Sequence, residues 1–81
     1  MDYIGRLVLS TAGHDKGIPF CVLSEYGEYV FLADGRHRKV DSPKRKKLKH
    51  TKLISEAAYS GPVTNKAIRA FITKATALLN N

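Results

Sequence analysis

The sequence predicts a mainly β fold, a small five-stranded barrel followed by one C-terminal α-helix. Five short runs of apolar, β-branched and aromatic residues are each of strand length and too short for a stable helix. Turn residues, most of them glycine or proline, separate these runs. After Gly61-Pro62 the apolar residues recur instead at three- and four-residue spacing, which is the period of an amphipathic helix.

The first two strands are predicted at residues 5–11 and 18–24, joined by a loop at residues 12–17. The loop carries Gly13 and a second glycine at its end, so its backbone can adopt positive φ. Pro19 lacks an amide N–H and confines the beginning of the second strand to a sheet edge or a bulge.

The third strand is predicted at residues 29–33, the most strand-like run of the chain by aromatic and β-branched content. Asp34-Gly35 follows it. This dipeptide between extended segments favours a tight hairpin turn, because both residues tolerate positive φ. We therefore predict a short fourth strand at residues 36–40.

A loop and a fifth strand are predicted after the fourth strand. Four consecutive cations at residues 44–47 repel one another, which favours a solvated loop. Residues 48–54 recover strand character, with Leu48 and Leu53 available to the core. Because closure removes exposed sheet edges, we expect the five strands to form an SH3-like β-barrel.

The C-terminal segment is predicted to be an amphipathic α-helix that packs on the barrel. Thr64 is the expected N-cap, since its hydroxyl can accept a hydrogen bond from a free amide of the first turn. The helix should end near Leu79. Its apolar stripe, which is expected to belong to the core, consists of Ala67, Ile68, Phe71, Ile72, Ala75, Leu78 and Leu79.

The chain is expected to form one domain, because 81 residues rarely divide into two. We assign residues 1–55 to the barrel and residues 56–81 to a linker and the helix packed on the same domain. Cys21 is the only cysteine, so no internal disulfide can form, and its place in an apolar strand predicts a small core residue.

The single thiol suits a reducing compartment, and residues 1–4 lack the basic and apolar regions of a secretory signal. These features predict a cytoplasmic protein. No apolar stretch approaches the roughly 20 residues that a membrane-spanning helix requires. Membrane association through the helix is disfavoured too, because so small a barrel needs the apolar stripe for its own core.

The positive charge is concentrated in residues 36–52, named below the basic segment. The net charge of the chain is +7, from 14 Lys and Arg against 7 Asp and Glu. The basic segment alone carries +8, because it holds nine Lys and Arg and has Asp41 as its only acid. Such crowding costs self-repulsion in the free protein, which a polyanion relieves while it releases its own counterions. The pattern therefore indicates nucleic-acid binding.

Three other interpretations of the basic segment stay open. It could be a charged loop that promotes solubility, although such charges are usually scattered. Residues 43–47 also match a nuclear localisation signal if the source is eukaryotic. The third interpretation is that the cation cluster binds an anionic membrane surface.

Catalytic, metal and cofactor chemistry find no support in the sequence. No serine has a triad-like or nucleophile-elbow setting, no glycine loop matches a phosphate-binding fingerprint, and the carboxylates are dispersed. The three histidines and Cys21 lack the close ligand pairs of structural zinc sites. The sequence thus predicts a protein that is not an enzyme, has no cofactor, and takes no small-molecule substrate.

Aromatic and histidine side chains are candidates to assist binding. Tyr29 and Phe31 share one face of the third strand and are expected to fill the barrel. Tyr26 lies in a turn and is freer to meet a base. His37 and His50 lie among cations and are expected to donate hydrogen bonds to phosphate or base.

Six residues of the first two strands and their loop have a spacing that resembles the KOW motif, a strand-loop-strand unit of RNA-binding proteins: Gly5, Val8, Gly13, Lys16, Gly17 and Val22. The similarity continues through residues 32–35, the basic fourth strand, and residues 48–53, which resemble the closing strand of KOW-domain proteins of the large ribosomal subunit. With its helix, the whole chain resembles short bacterial KOW-domain RNA-binding proteins. The resemblance implies an SH3-like barrel, with ribosomal or other structured RNA as its partner.

We therefore expect a ribosome- or structured-RNA-associated protein that contacts the phosphate backbone through a basic hairpin. Arg36, Arg38 and Arg45 are the expected bidentate ligands, and the lysines act as mobile point charges. The alternative is an SH3-like module that binds an acidic or peptide partner, which a cluster of Tyr26, Tyr29 and Tyr59 on one open face would favour. The predicted RNA-binding residues are His14, Lys16, Arg36, His37, Arg38, Lys39, Lys44, Arg45, Lys46, Lys47, Lys49, His50 and Lys52.

Overall fold

The computed structural model describes residues 2–79 as one five-stranded sheet and a C-terminal helix. The strands are β1 (Arg6–Ser10), β2 (Pro19–Tyr26), β3 (Tyr29–Ala33), β4 (Lys44–Lys47) and β5 (Thr51–Ala58), and the helix is α1 (Asn65–Leu79). A 3₁₀ turn at Leu48–His50 joins β4 to β5. The fold is mainly β with one helix, as the sequence predicts.

The sheet is antiparallel, with the strand order β4-β3-β2-β1-β5. Consecutive strands pair from β1 to β4, and β5 returns to pair with β1. Strands β4 and β5 are therefore the two edges. Closure of the sheet into a barrel, which the sequence predicts, is not observed in residues 2–79.

The open sheet is strongly curved. Nζ of Lys46, in edge strand β4, lies 2.9 Å from Oγ of Ser10 in β1, three strands away in the sheet order. In a flat sheet three strand spacings amount to about 14 Å, which is beyond the reach of a lysine side chain. Backbone hydrogen bonds also tie the 3₁₀ turn to Glu28, just before β3, and to Thr11, just after β1.

Two apolar clusters lie on opposite faces of the sheet. Successive residues of a strand project to opposite faces, which distributes neighbouring residues of β1 and β2 between the clusters. The cluster on the concave, inner face contains Val8, Phe20, Val22, Val30 and Leu32. The cluster on the other, helix-bearing face contains Leu7, Cys21, Ile68, Ile72 and Ala75. Cys21 is thus a core residue, as predicted.

Helix α1 begins where the sequence predicts and packs through its first and middle turns. The amide of Ala67 donates to Oγ1 of Thr64 over 3.1 Å, which makes Thr64 the N-cap. Leu78 and Leu79 are 66% and 49% exposed and belong to neither apolar cluster, so the prediction that they join the core is wrong. Within residues 2–79, no helix is both long enough and apolar enough to cross a membrane.

The fourth strand lies later in the chain than predicted. Residues 36–40 form a loop, whereas the four cations Lys44–Lys47, predicted to be a loop, form β4. All four residues of β4 face residues of β3, and their side chains alternate between the two faces of the sheet, which separates neighbouring charges. The predicted fifth strand also shifts, since its first three residues form the 3₁₀ turn.

The inward-facing residues of β3 differ from the prediction. Val30 and Leu32 are buried in the inner cluster, while Tyr29 and Phe31 are half-buried on the helix-bearing face. The prediction that the two aromatic residues fill the barrel is therefore wrong. Of the two leucines expected in the core, Leu48 packs against the inner cluster and Leu53 is 42% exposed.

Candidate nucleic-acid interface

Asp34 organises the loop that presents the first cations of the basic segment. Its Oδ1 accepts hydrogen bonds from the amides of Arg36 and Arg38, at 2.9 and 2.8 Å, and its Oδ2 lies 3.1 Å from Nδ1 of His37. The tight hairpin predicted at this point does not form, because the carboxylate holds the amides of a longer loop. Its exposed side chains are Arg36, His37, Arg38 and Lys39.

Helix α1 holds the same loop from its other side. Nη1 of Arg69 donates to the carbonyl oxygen of Gly35 over 2.9 Å, and the amide of Val40 donates to Oδ1 of Asn65 over 2.8 Å. Gly35 has φ +78°, and a Cβ there would overlap the carbonyl oxygen of Asn65. The backbone of the loop is therefore fixed, while its cationic side chains project into solvent.

The cations of β4 divide between the two faces of the sheet. Facing residues of the ladder pair Phe31 with Arg45 and Val30 with Lys46, and facing side chains project to the same face. Arg45 and, two residues on, Lys47 consequently lie on the face opposite to the inner cluster. Lys44 and Lys46 lie on the inner face.

Arg45 lies on the helix-bearing face together with two aromatic side chains. Ala33 follows Phe31 by two residues and faces Cys21, which packs against α1, so the outward residues of β3 and the helix share one face. Cζ of Arg45 lies 4.8 Å from the centroid of the Tyr29 ring, a cation–π contact. This part of the face combines exposed positive charge with aromatic surface.

Lys46 has a structural position that the sequence does not reveal. Its Nζ donates to Oδ1 of Asp15 at 2.6 Å, to the carbonyl oxygen of Ala12 at 2.7 Å and to Oγ of Ser10 at 2.9 Å. The side chain is only 8% exposed. With all three ammonium donors engaged inside the protein, Lys46 is not available to phosphate, which corrects its inclusion among the predicted binding residues.

The carboxyl groups of Asp15, in the loop between β1 and β2, and of Asp34, in the loop after β3, are held in the ionised form. Burial alone would raise the pKa of Asp15, but hydrogen bonds from Lys46 and Ser10 and the charges of Lys46 and Lys44 outweigh burial and lower the pKa. Burial would also raise the pKa of Asp34. Hydrogen bonds from the amides of Arg38 and Arg36 and from the His37 side chain outweigh burial, so the pKa of Asp34 is lowered too. Each carboxylate therefore stabilises its loop at neutral pH.

The loop between β1 and β2 is tied to β4 by this ion pair. His14 and Lys16, on either side of Asp15, are exposed. Because Asp15 is bonded to Lys46, the two predicted binding residues of this loop are held beside β4. The structure thus joins two parts of the predicted site that are far apart in sequence.

The remaining predicted site residues lie in β4 or directly after it. Lys49 and His50 are exposed on the 3₁₀ turn, and Lys52 is exposed at the start of β5. Lys47 lies 3.4 Å from Oε1 of Glu28 in an exposed ion pair, which solvent screens and which leaves the lysine free to exchange partners. Lys44 is half-buried on the inner face, near Asp15.

In the described part of the chain, no ring contact joins Tyr59 to Tyr26 or Tyr29, the three tyrosines whose clustering would favour a peptide groove. Tyr59 packs against Phe71 of α1, with 5.3 Å between ring centroids. Tyr26 and Tyr29 face each other across the turn between β2 and β3. Tyr26, predicted to lie in a turn, is the last residue of β2 and is 80% exposed.

Arg69 is a candidate site residue that sequence reasoning missed. It belongs to α1, outside the basic segment, yet it contacts the loop that carries Arg36. Helical periodicity could place Arg69 beside the apolar stripe, next to Ile68, but could not indicate which loop it meets.

No known protein-family model matches the chain, and a search of curated protein sequences found no match.

Proposed function

We propose that this protein binds RNA through the helix-bearing face and the adjoining loops, mainly by contacts to phosphates. The observation that carries the proposal is the exposure of the basic segment. Lys46 is buried and bonded within the protein, whereas the other eight of the nine Lys and Arg are exposed or half-buried. Because the backbone of residues 34–40 is held in place, these cations can attract a polyanion without a loss of backbone entropy on binding.

The aromatic surface beside Arg45 favours RNA over a merely acidic protein. An unpaired base can stack on a tyrosine ring or on an arginine plane, and the contact between Arg45 and Tyr29 offers both at one place. The protein-interaction alternative requires exposed aromatic residues gathered in a groove. Tyr59 is instead packed on Phe71, which leaves that alternative with less support.

We also propose that the curved sheet is an open relative of the SH3-like barrel expected from the resemblance to KOW-domain proteins. The strand order, the 3₁₀ turn before β5 and the contact from Lys46 to Ser10 support this view. The proposed place of action is the cytoplasm, where the unpaired Cys21 stays reduced. Ribosomal or other structured RNA is the proposed partner.

Ultraviolet crosslinking in cells, followed by purification, tests this function. RNA should be recovered covalently attached to the protein and should be lost on treatment with ribonuclease. The crosslinked nucleotide is expected at residues 29–40 or 44–52. Digestion should use a protease that does not cut at lysine or arginine, so that these basic stretches stay in peptides long enough to identify. A stable complex that contains an acidic protein and resists ribonuclease would overturn the proposal in favour of the interaction module.

A further inference from the structure

A small cleft lies between helix α1, the start of β2 and the loop after β3, with a volume of about 220 Å³. Apolar side chains of Ile18, Pro19 and Ile72 line it. Arg36 and Arg69 line the same cleft. An apolar surface bounded by two arginine residues suits a ligand that has both a flat apolar part and an anionic part.

The charge of the cleft favours an anion although Asp34 also lines it. The Asp34 carboxylate is occupied by the amides of Arg36 and Arg38 and by His37, and its side chain is 8% exposed. Arg69 donates one hydrogen bond to Gly35, and a guanidinium has five N–H donors, so donors remain for a phosphate. The cleft is therefore lined by two arginines and one carboxylate, and that carboxylate is already hydrogen-bonded within its own loop.

The size of the cleft limits the ligand to one base. Sites for drug-sized ligands enclose roughly 300–1,000 Å³, and this cleft is smaller. Bases within an A-form helix are stacked and their edges are not presented to a cleft, whereas a bulged or looped nucleotide can be splayed out. The shape therefore matches a single extruded nucleotide better than a duplex or a free dinucleotide cofactor.

We propose that this cleft receives one unpaired nucleotide of the bound RNA, with its base against Pro19 and Ile72 and its phosphate at Arg36 and Arg69. The inference rests on the proposed function, because it assigns the cleft to the same RNA. It names the substrate class as RNA with a bulge or loop, and it adds Arg69 to the binding residues.

Two RNA duplexes that differ only in one bulged adenosine test the inference by fluorescence anisotropy. The wild-type protein should bind the bulged duplex about tenfold more tightly, the scale of a single base contact. Replacement of the bulged base by 2-aminopurine should give a fluorescence change on binding. Thr73 also lines the cleft and is exposed, so Thr73→Trp should fill the cleft and equalise the two affinities.

The matched control is Ala70→Trp, which places the same ring at an exposed position of α1 outside the cleft and should keep the discrimination. Arg36→Gln should reduce the preference for the bulge as well, and it keeps the amide that Asp34 binds. Equal wild-type affinity for both duplexes would overturn this inference and leave RNA binding intact. No binding to either duplex at low salt would overturn the proposed function itself. Discrimination retained by Thr73→Trp would show that the bulge binds elsewhere.

Discussion

Nζ of Lys46 lies 2.6 Å from Oδ1 of Asp15, which joins edge strand β4 to the loop that follows β1. The two residues are 31 positions apart in sequence. The same Nζ also reaches Oγ of Ser10 in β1, and because β3 and β2 lie between β4 and β1, this contact requires the sheet to curl. This ion pair removes one lysine from the basic segment and fixes the loop of His14 and Lys16 beside the others.

Removal of the Lys46 ammonium should destabilise the fold strongly. Lys46→Met keeps an unbranched side chain but leaves Asp15 without its cation, which should cost about 3 kcal/mol in the free energy of unfolding, as when one partner of a buried pair is lost. Urea denaturation measures the change. The exposed neighbour provides the control, since Lys49→Met should change the stability by less than about 0.5 kcal/mol. A loss for Lys46→Met no larger than that of the control would contradict the structural role.

Stability should decrease as the solution becomes acidic. The pKa values of Asp15 and Asp34 in the folded state lie below the usual value of 3.8. Their contribution to stability is therefore complete above the pKa of the unfolded chain and is lost as the pH falls through the lower folded-state values. The urea midpoint should be measured from pH 7 to pH 2. Below about pH 4 it should change less with pH for Asp15→Asn than for the wild type. The same acid dependence in both proteins would exclude Asp15 as a source.

Gly35 and Gly27 allow a matched test of the loop anchored by α1. Both have positive φ, but a Cβ at Gly35 would overlap the carbonyl oxygen of Asn65, whereas a Cβ at Gly27 meets no atom within 4 Å. Gly27→Ala should cost about 1 kcal/mol of folding free energy from the backbone conformation alone. Gly35→Ala should cost clearly more, because the loop and the helix must also move apart. Equal losses in thermal unfolding would show that α1 does not hold the loop closely.

The thiol of Cys21 should be unreactive in the folded protein. Burial raises its pKa to about 11, and the side chain is 1% exposed. At pH 8 the reactive thiolate is therefore scarce and inaccessible. Ellman's reagent should label Cys21 only at the rate at which the protein unfolds, and immediately once urea is added. Labelling of the native protein as fast as a free thiol would contradict the assignment of Cys21 to the core.

The sequence predicts the elements that depend on local patterns. The apolar runs of β1 and β2 follow from burial on both faces of the sheet, and the 3.6-residue period of α1 follows from burial of one side of the helix. The N-cap at Thr64 follows from the chemistry of its hydroxyl. These features need no knowledge of what lies across the sheet, so sequence reasoning finds them.

The errors occur where a distant partner decides the outcome. All five residues of β3 are apolar, so alternation alone cannot tell whether Val30 or Phe31 faces the core. Four consecutive cations predict a loop, and only the ladder with β3 together with Asp15 makes them a strand. The same reason hides the difference between Lys46 and its neighbours, which are alike in sequence and differ only in what they contact.

The salt dependence of RNA binding shows whether the cations of the basic segment neutralise phosphates. The slope of the logarithm of the association constant against the logarithm of the salt concentration reports the phosphates neutralised, about 0.7 to 0.9 for each. We expect Arg36→Gln/Arg38→Gln to reduce the magnitude of the slope by about 1.4 to 1.8. Lys74→Gln, on the part of α1 that lies next to β5, should leave the slope unchanged. A slope that is the same in all three proteins, or a wild-type protein that does not bind RNA at low ionic strength, would contradict phosphate binding by the basic segment.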